Sequence, residues 1–252
     1  MSDSLYDAFT NYIQSIVRGG DLRDFKSNSN VTYVLEHVNE GLGKQYYESI
    51  KKHTSFTIEQ IRAYCQKNDT HGGGHKCNYG WITTSPSNFR YLLHAHIILT
   101  HMKRQGQNAI RVAEVGCGYG GLCLAITDFA PLYNVTIAEY HLIDLPDISS
   151  LQQLYLSKFP ISTAVSFHSA YTYGSNISSS DLFLISNYCF SEISDEHQKQ
   201  YLQQLFPKVS HGFMIWNHIV LYDIGRAVTT EEEYPLTSYC ANPLLNNKYV
   251  YF

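Results

Sequence analysis

The sequence predicts an α/β fold: a parallel sheet with helices on both faces, preceded by a helical extension. Two observations predict it. From Ile110 onward, short apolar runs at 110–115, 136–143, 161–167, 181–186 and 212–216 alternate with helical patterns at 120–129, 147–158 and 194–206. Runs this short suit buried strands, and each parallel crossover needs a helix to return the chain. In addition, the first run ends in a glycine-rich turn, Gly116 to Gly121, that opens the next helical stretch.

The elements follow in chain order. Residues 2–18 place Leu5, Ala8, Phe9, Tyr12, Ile13, Ile16 and Val17 at helical spacing before Gly19-Gly20 ends the run. Residues 31–67 repeat that style twice. From Asn68 to Ser85 the chain is rich in Gly, His, Asn and Thr without any period, which predicts a long loop. Ser85-Pro86 then starts a helix that runs to Arg104, with Pro in the first turn where its missing N–H costs nothing. At the far end, KYVYF predicts an antiparallel edge strand. The expected division is a helical extension with an acceptor-side loop over 1–84 and a sheet domain over 85–252.

Composition narrows the partners. In 252 residues, 18 Lys and Arg stand against 22 Asp and Glu, a net charge of -4 that supplies no positive field for a polyanion. Nucleic acid is therefore not expected as a partner. The 21 Tyr and 12 His offer apolar faces with hydrogen-bonding tips, which suits polar, uncharged ligands such as sugars. Six scattered cysteines do not form a disulfide framework, and neither a signal peptide nor a membrane span is visible, so a cytoplasmic location is expected. Cys65, His71, His75 and Cys77 put four soft ligands within a short stretch, but their spacing is not that of a zinc finger. No aspartate cluster near the expected site could hold a hard cation, so metal independence is expected.

The chemistry concentrates in VAEVGCGYGG, where Glu114 ends a strand just before Gly116, Gly118 and Gly120. Glycines there let the backbone turn sharply and approach a ligand. A second acid, Asp144, ends the next predicted strand, about 20 residues past the turn, where a ribose-binding carboxylate belongs. A dinucleotide would bring a pyrophosphate against Glu114, whereas S-adenosylmethionine brings a cationic sulfonium and no phosphate. The paired acids therefore point to S-adenosylmethionine.

With these motifs in view, the chain resembles the sugar O-methyltransferases of bacterial and viral glycan clusters. The resemblance covers most of the chain. It rests on FKSNSNVTYVLEHV (Phe25 to Val38), SPxxxRY (Ser85 to Tyr91), EVGxGYGG, YxLIDLP and ISNYxFSE (Ile185 to Glu192), in that order. The chain departs from the family pattern at HGGGHKC, where a Gly-Asn-Pro turn is expected, and at its YVYF ending. The resemblance implies a Rossmann-like, seven-stranded methyltransferase sheet. It also implies a sugar or glycan acceptor and fusion to, or action with, glycosyltransferases.

Site residues follow from both readings. Glu114, Gly116, Gly118, Gly120, Asp144, Leu145, Asn187 and Tyr188 are expected to hold the cofactor. Arg90 and Tyr91 are expected near its methionine end, where a guanidinium can pair with a carboxylate. Methyl transfer to a hydroxyl needs an in-line approach and a base for the proton. Glu192 and His218 are the two candidates for that base, and His75, Ser191 and Asn217 are the expected acceptor contacts. Two alternatives stay open: a non-catalytic cofactor-binding module of a glycan-assembly protein, and a small-molecule O-methyltransferase.

Overall fold

A computed structural model of the chain describes residues 3–106, 109–217, 219–235 and 246–252. The chain separates into two compact units, one of residues 1–97, 118–129 and 147–161, the other of 98–117, 130–146 and 162–252.

The first unit is mainly helical. Helices α1 (Asp3–Gly19), α2 (Ser29–Thr32), α3 (Glu40–His53) and α4 (Ile58–Asn68) precede a two-rung antiparallel hairpin of β1 (Cys77–Asn78) and β2 (Thr83–Thr84). The expected loop therefore contains a small pairing that its aperiodic sequence did not signal. The helix starts are locally encoded. Asn39 accepts from the Leu42 N–H at 2.9 Å, and Thr57 with Gln60 forms a reciprocal capping box that satisfies two otherwise orphan donors. The unit also takes in the start of α5 (Ser87–Arg104), all of α6 (Gly121–Phe129) and most of α7 (Pro146–Leu156). Phe25, Tyr46, Ile50, Ile61, Tyr64, Phe89 and Leu92 are buried in it.

Lys26 is among the polar side chains buried in that packing. Lys26 is 1% exposed, and its Nζ lies 4.5 and 4.6 Å from the ring centres of Tyr119 and Tyr155. The ammonium donates to the Asn68 carbonyl and the Tyr155 hydroxyl, both at 2.8 Å. Burial pushes its pKa down to about 8, because leaving water penalises the charged form.

The second unit holds the main sheet: β3 (Ala109–Val115), β4 (Thr136–Asp144), β5 (Ala164–Ser169), β6 (Leu182–Asn187), β7 (Val209–Trp216), β8 (Thr229–Glu232) and β9 (Lys248–Tyr251). The strand order is β5-β4-β3-β6-β7-β9-β8, parallel through β7, with β9 antiparallel to both of its neighbours. This is the seven-stranded mixed sheet expected of a Rossmann-like methyltransferase fold. Along β6 the side chains alternate between faces. Leu182 and Leu184 join Met214, Trp216 and helix α8 (Asp195–Gln204) in one core through Tyr201. On the other face Phe183 and Tyr251 meet His101 of α5, with ring centres 5.5 and 5.1 Å apart.

Three details differ from the sequence expectation. β5 begins at Ala164 rather than 161 and ends at Ser169, because an edge strand with polar alternation lacks the apolar run that marks its neighbours. The KYVYF segment is antiparallel as expected, but it lies inside the sheet rather than at its edge. The edge is β8, TTEE, exposed at all four residues and so without any apolar signal.

Candidate active site

The carboxyl ends of β3, β4, β6 and β7 carry the expected residues of the second unit. Asp144, the last residue of β4, is held by two backbone donors: its Oδ2 accepts from the Cys117 N–H at 2.8 Å and its Oδ1 from the Leu145 N–H at 2.9 Å. These two bonds fix the orientation of the carboxylate. Gly116 has φ +75°, and a Cβ there would strike Cys189, so both conformation and space require glycine. Its N–H closes onto the Ile143 carbonyl at 3.0 Å, fixing the turn to the end of β4.

Glu114 is placed differently from an acid that faces a ligand. It is 2% exposed and accepts from the Tyr140 hydroxyl at 2.6 Å. Burial pushes its pKa up to about 8, against the Tyr140 bond that favours the charged form. Near neutrality this carboxyl is largely uncharged, so the negative charge at the turn comes from Asp144.

At the end of β6 the chain turns sharply. Ser186 Oγ donates to the Val115 carbonyl at 3.0 Å and accepts from the Phe190 N–H at 3.1 Å, binding the β6 exit to the end of β3. Tyr188 follows with φ +60°, a left-handed conformation that is costly for a residue with a bulky side chain. Its N–H bonds the Ile215 carbonyl at 3.0 Å, and its hydroxyl donates to the carboxylate of Glu233. Glu233 is 1% exposed and also accepts from Asn247 Nδ2 at 2.9 Å. Sequence reasoning missed Glu233, because TTEEEYP shows only a run of acids with nothing to single out the third.

Beside that turn, Asn217 Nδ2 donates to Glu192 Oε1 and to the Tyr188 carbonyl, the latter at 3.3 Å. The Asn217 N–H donates to Ser191 Oγ at 3.2 Å. Ser191 and Asn217 are buried while Glu192 is exposed, so the pair presents a carboxylate aimed by an amide. Ser191, Glu192 and Asn217 are thus brought together. His218, the other expected base, lies outside the described residues.

The remaining expected residues lie in the first unit. The Arg90 guanidinium donates to the Leu35 carbonyl at 2.9 Å and lies 3.2 Å from His37 Nε2. The Arg90 charge, reinforced by desolvation, pushes His37 down to about 4, so this imidazole is neutral. Tyr91 packs edge-on to Tyr119 at 5.9 Å, and its ring occupies the space a Cβ on Gly121 would need. Gly118 lies against Leu35 and Gly120 against Leu156. Glu36, a second residue missed from sequence, accepts from Tyr119 at 2.7 Å and from Ser85 at 3.1 Å, tying the VLEHV stretch to the residue at the centre of the glycine turn. His75 is exposed. Among the described residues, no three His, Cys, Asp or Glu side chains converge as metal ligands.

No protein-family model matches the chain, and no curated protein matches its sequence. Solved structures similar to it include the S-adenosylhomocysteine-bound methyltransferase PaMTH1 of Podospora anserina, at 11% identity and TM-score 0.43 over 72% of this chain and 71% of that one. Another is CalS10 of Micromonospora echinaspora, an amino pentose methyltransferase involved in calicheamicin biosynthesis, at 12% identity and TM-score 0.39 over 56% and 57%. A third is a protein of Methanococcus maripaludis assigned as an S-adenosylmethionine-dependent methyltransferase, at 13% identity and TM-score 0.39 over 50% and 55%. The match thus spans little more than half the length of the last two. Likenesses this distant carry no information about an acceptor.

Proposed function

We propose that this chain binds S-adenosylmethionine and directs methyl transfer to a hydroxyl of a sugar. The observation that carries the cofactor reading is the hydrogen bond from the Cys117 N–H to Asp144. In a dinucleotide fold, the amides of this turn face the pyrophosphate. Here a carboxylate takes one of those amides, so a phosphate brought to the same place would meet negative charge instead of a free donor. A nucleoside carrying a sulfonium suits that donor set.

Asp144 would hold the ribose hydroxyls, with the backbone around Gly116 and the Asn187-Tyr188 turn lining the rest. The cofactor supplies an electrophilic methyl group on a positive sulfur. Glu192 takes the proton of the acceptor hydroxyl, and Asn217 keeps its carboxylate in place for that transfer. The sugar acceptor follows from the family resemblance and from a composition rich in Tyr and His with no excess of positive charge. Action beside glycosyltransferases belongs to the same reading.

Calorimetry with S-adenosylhomocysteine and with a nicotinamide dinucleotide tests the cofactor. Tight uptake of the dinucleotide alone would end this reading. Mass spectrometry of candidate glycosides after incubation with labelled S-adenosylmethionine tests the acceptor, and the expected product is a sugar heavier by one methyl group.

A further inference from the structure

A second cluster of functional side chains lies on one face of the sheet at its β5 edge. Glu139 and His141 are two apart on β4, Ser166 and His168 two apart on β5, and His141 pairs in register with Ser166. A period of two puts all four on the same face. His141 Nδ1 is 3.1 Å from His168 Nε2, and Ser166 Oγ is 2.7 Å from the first nitrogen and 3.1 Å from the second. Three donor atoms thus form a small triangle.

Two nitrogens on one zinc-sized ion, each about 2.0–2.1 Å from it, stand roughly 2.9–3.4 Å apart. The separation between the two imidazoles falls in that range. The far side of His141 is also prepared. Its Nε2 lies 3.1 Å from Glu139 Oε2, a carboxylate that also accepts from Ser179 at 2.5 Å and pairs with Arg111 Nε at 3.4 Å. An oxygen acceptor at that distance suits the tautomer of His141 with hydrogen on Nε2. That choice leaves the His141 Nδ1 lone pair directed into the triangle, the carboxylate–histidine arrangement that orients metal-bound imidazoles. His168 and Ser166 are half-buried on an edge strand, within reach of an ion from solvent.

We propose that His141 and His168, with the Ser166 hydroxyl between them, form a binding site for a divalent ion of the zinc or copper(II) class, with Glu139 as the outer partner of His141. Imidazole nitrogens select such ions over magnesium or calcium. Two strong ligands and a hydroxyl leave the other positions to water, so the site is an exchangeable one. It is separate from the residues assigned above to cofactor and acceptor.

The test is copper(II) titration of the whole chain followed by electron paramagnetic resonance, with zinc(II) titration followed by the thermal midpoint. The expected result is one equivalent of copper bound with two nitrogen ligands, and a zinc-dependent rise in midpoint. His141→Ala and His168→Gln should each weaken binding by about tenfold or more, and Glu139→Gln by about tenfold. Metal-free midpoints and S-adenosylhomocysteine affinity show whether each variant is folded. Binding of equal strength in folded His141→Ala or His168→Gln protein would overturn the proposal, as would a copper signal without nitrogen coupling.

Discussion

The Tyr188 hydroxyl donates to the carboxylate of Glu233, a side chain 1% exposed, and so anchors a residue that leaves β6 in the left-handed conformation. Tyr188→Phe removes that donor from Glu233, which also accepts from Asn247 Nδ2. A lost hydrogen bond to a buried polar group costs about 1–3 kcal/mol. Urea unfolding should show a loss of that size, with methyl transfer reduced because the same turn carries Glu192. Unchanged stability would mean that the bond does not hold the turn.

Glu192 is assigned the acceptor proton, with Asn217 aiming its carboxylate. Glu192→Gln should lower kcat by about 100- to 10,000-fold, the usual range for a lost general base. S-adenosylhomocysteine affinity, read by calorimetry, should stay as it was. Asn217→Ala should give a smaller loss in kcat, since it releases the carboxylate without removing it. Full turnover in Glu192→Gln would move the base elsewhere, His218 first.

Asp144→Ala should weaken S-adenosylhomocysteine binding by about tenfold to a hundredfold, the size expected for charge-assisted hydrogen bonds. It also leaves the Cys117 N–H without its carboxylate partner. The same variant should therefore bind phosphate-bearing nucleotides better than the native chain does, which competition calorimetry would read.

Gly116→Ala should be strongly destabilising. Its φ of +75° is unfavourable for alanine, and the new methyl would meet the Cys189 side chain. Cys189→Gly removes both the Cβ and the Sγ that the new methyl would strike, so the double variant should recover part of the loss, leaving the conformational share. Thermal midpoints of the three proteins separate the two causes.

The buried Glu114 gives a pH signature with a definite sign. Its folded pKa, pushed up to about 8, exceeds its ordinary value of 4.5, so the folded chain holds a proton that the unfolded chain releases between those limits. Its contribution is fully present below pH 4.5 and is lost as pH rises towards 8. Glu114→Gln keeps an acceptor for Tyr140 and carries no charge. Its stability relative to the native chain should therefore improve from pH 5 to pH 8.5 in urea titrations, and a flat difference would refute the shift.

Much of the fold was legible because β3, β4 and β6 are apolar runs bounded by turns, and burial on both faces demands such runs. β8 was not legible, since its four exposed residues carry no hydrophobic pattern, and this misplaced KYVYF at the sheet edge. Within the site, Asp144 and the Gly116 turn announced themselves through spacing and glycine. Glu36 and Glu233 did not, because what distinguishes either acid is the partner it meets, and Tyr119 and Tyr188 are distant from them in sequence. Glu114 was legible as a residue but not in its charge, which depends on enclosure by the folded chain.

Strand β8 closes one side of the ladder with Thr229, Thr230, Glu231 and Glu232, all exposed. Another copy of this chain approaching there to continue the sheet would set its own pair of carboxylates against these, and like charges on a bare rim discourage such growth. The acids that hid this strand from pattern reading thus put two negative charges where rim-to-rim pairing would have to begin.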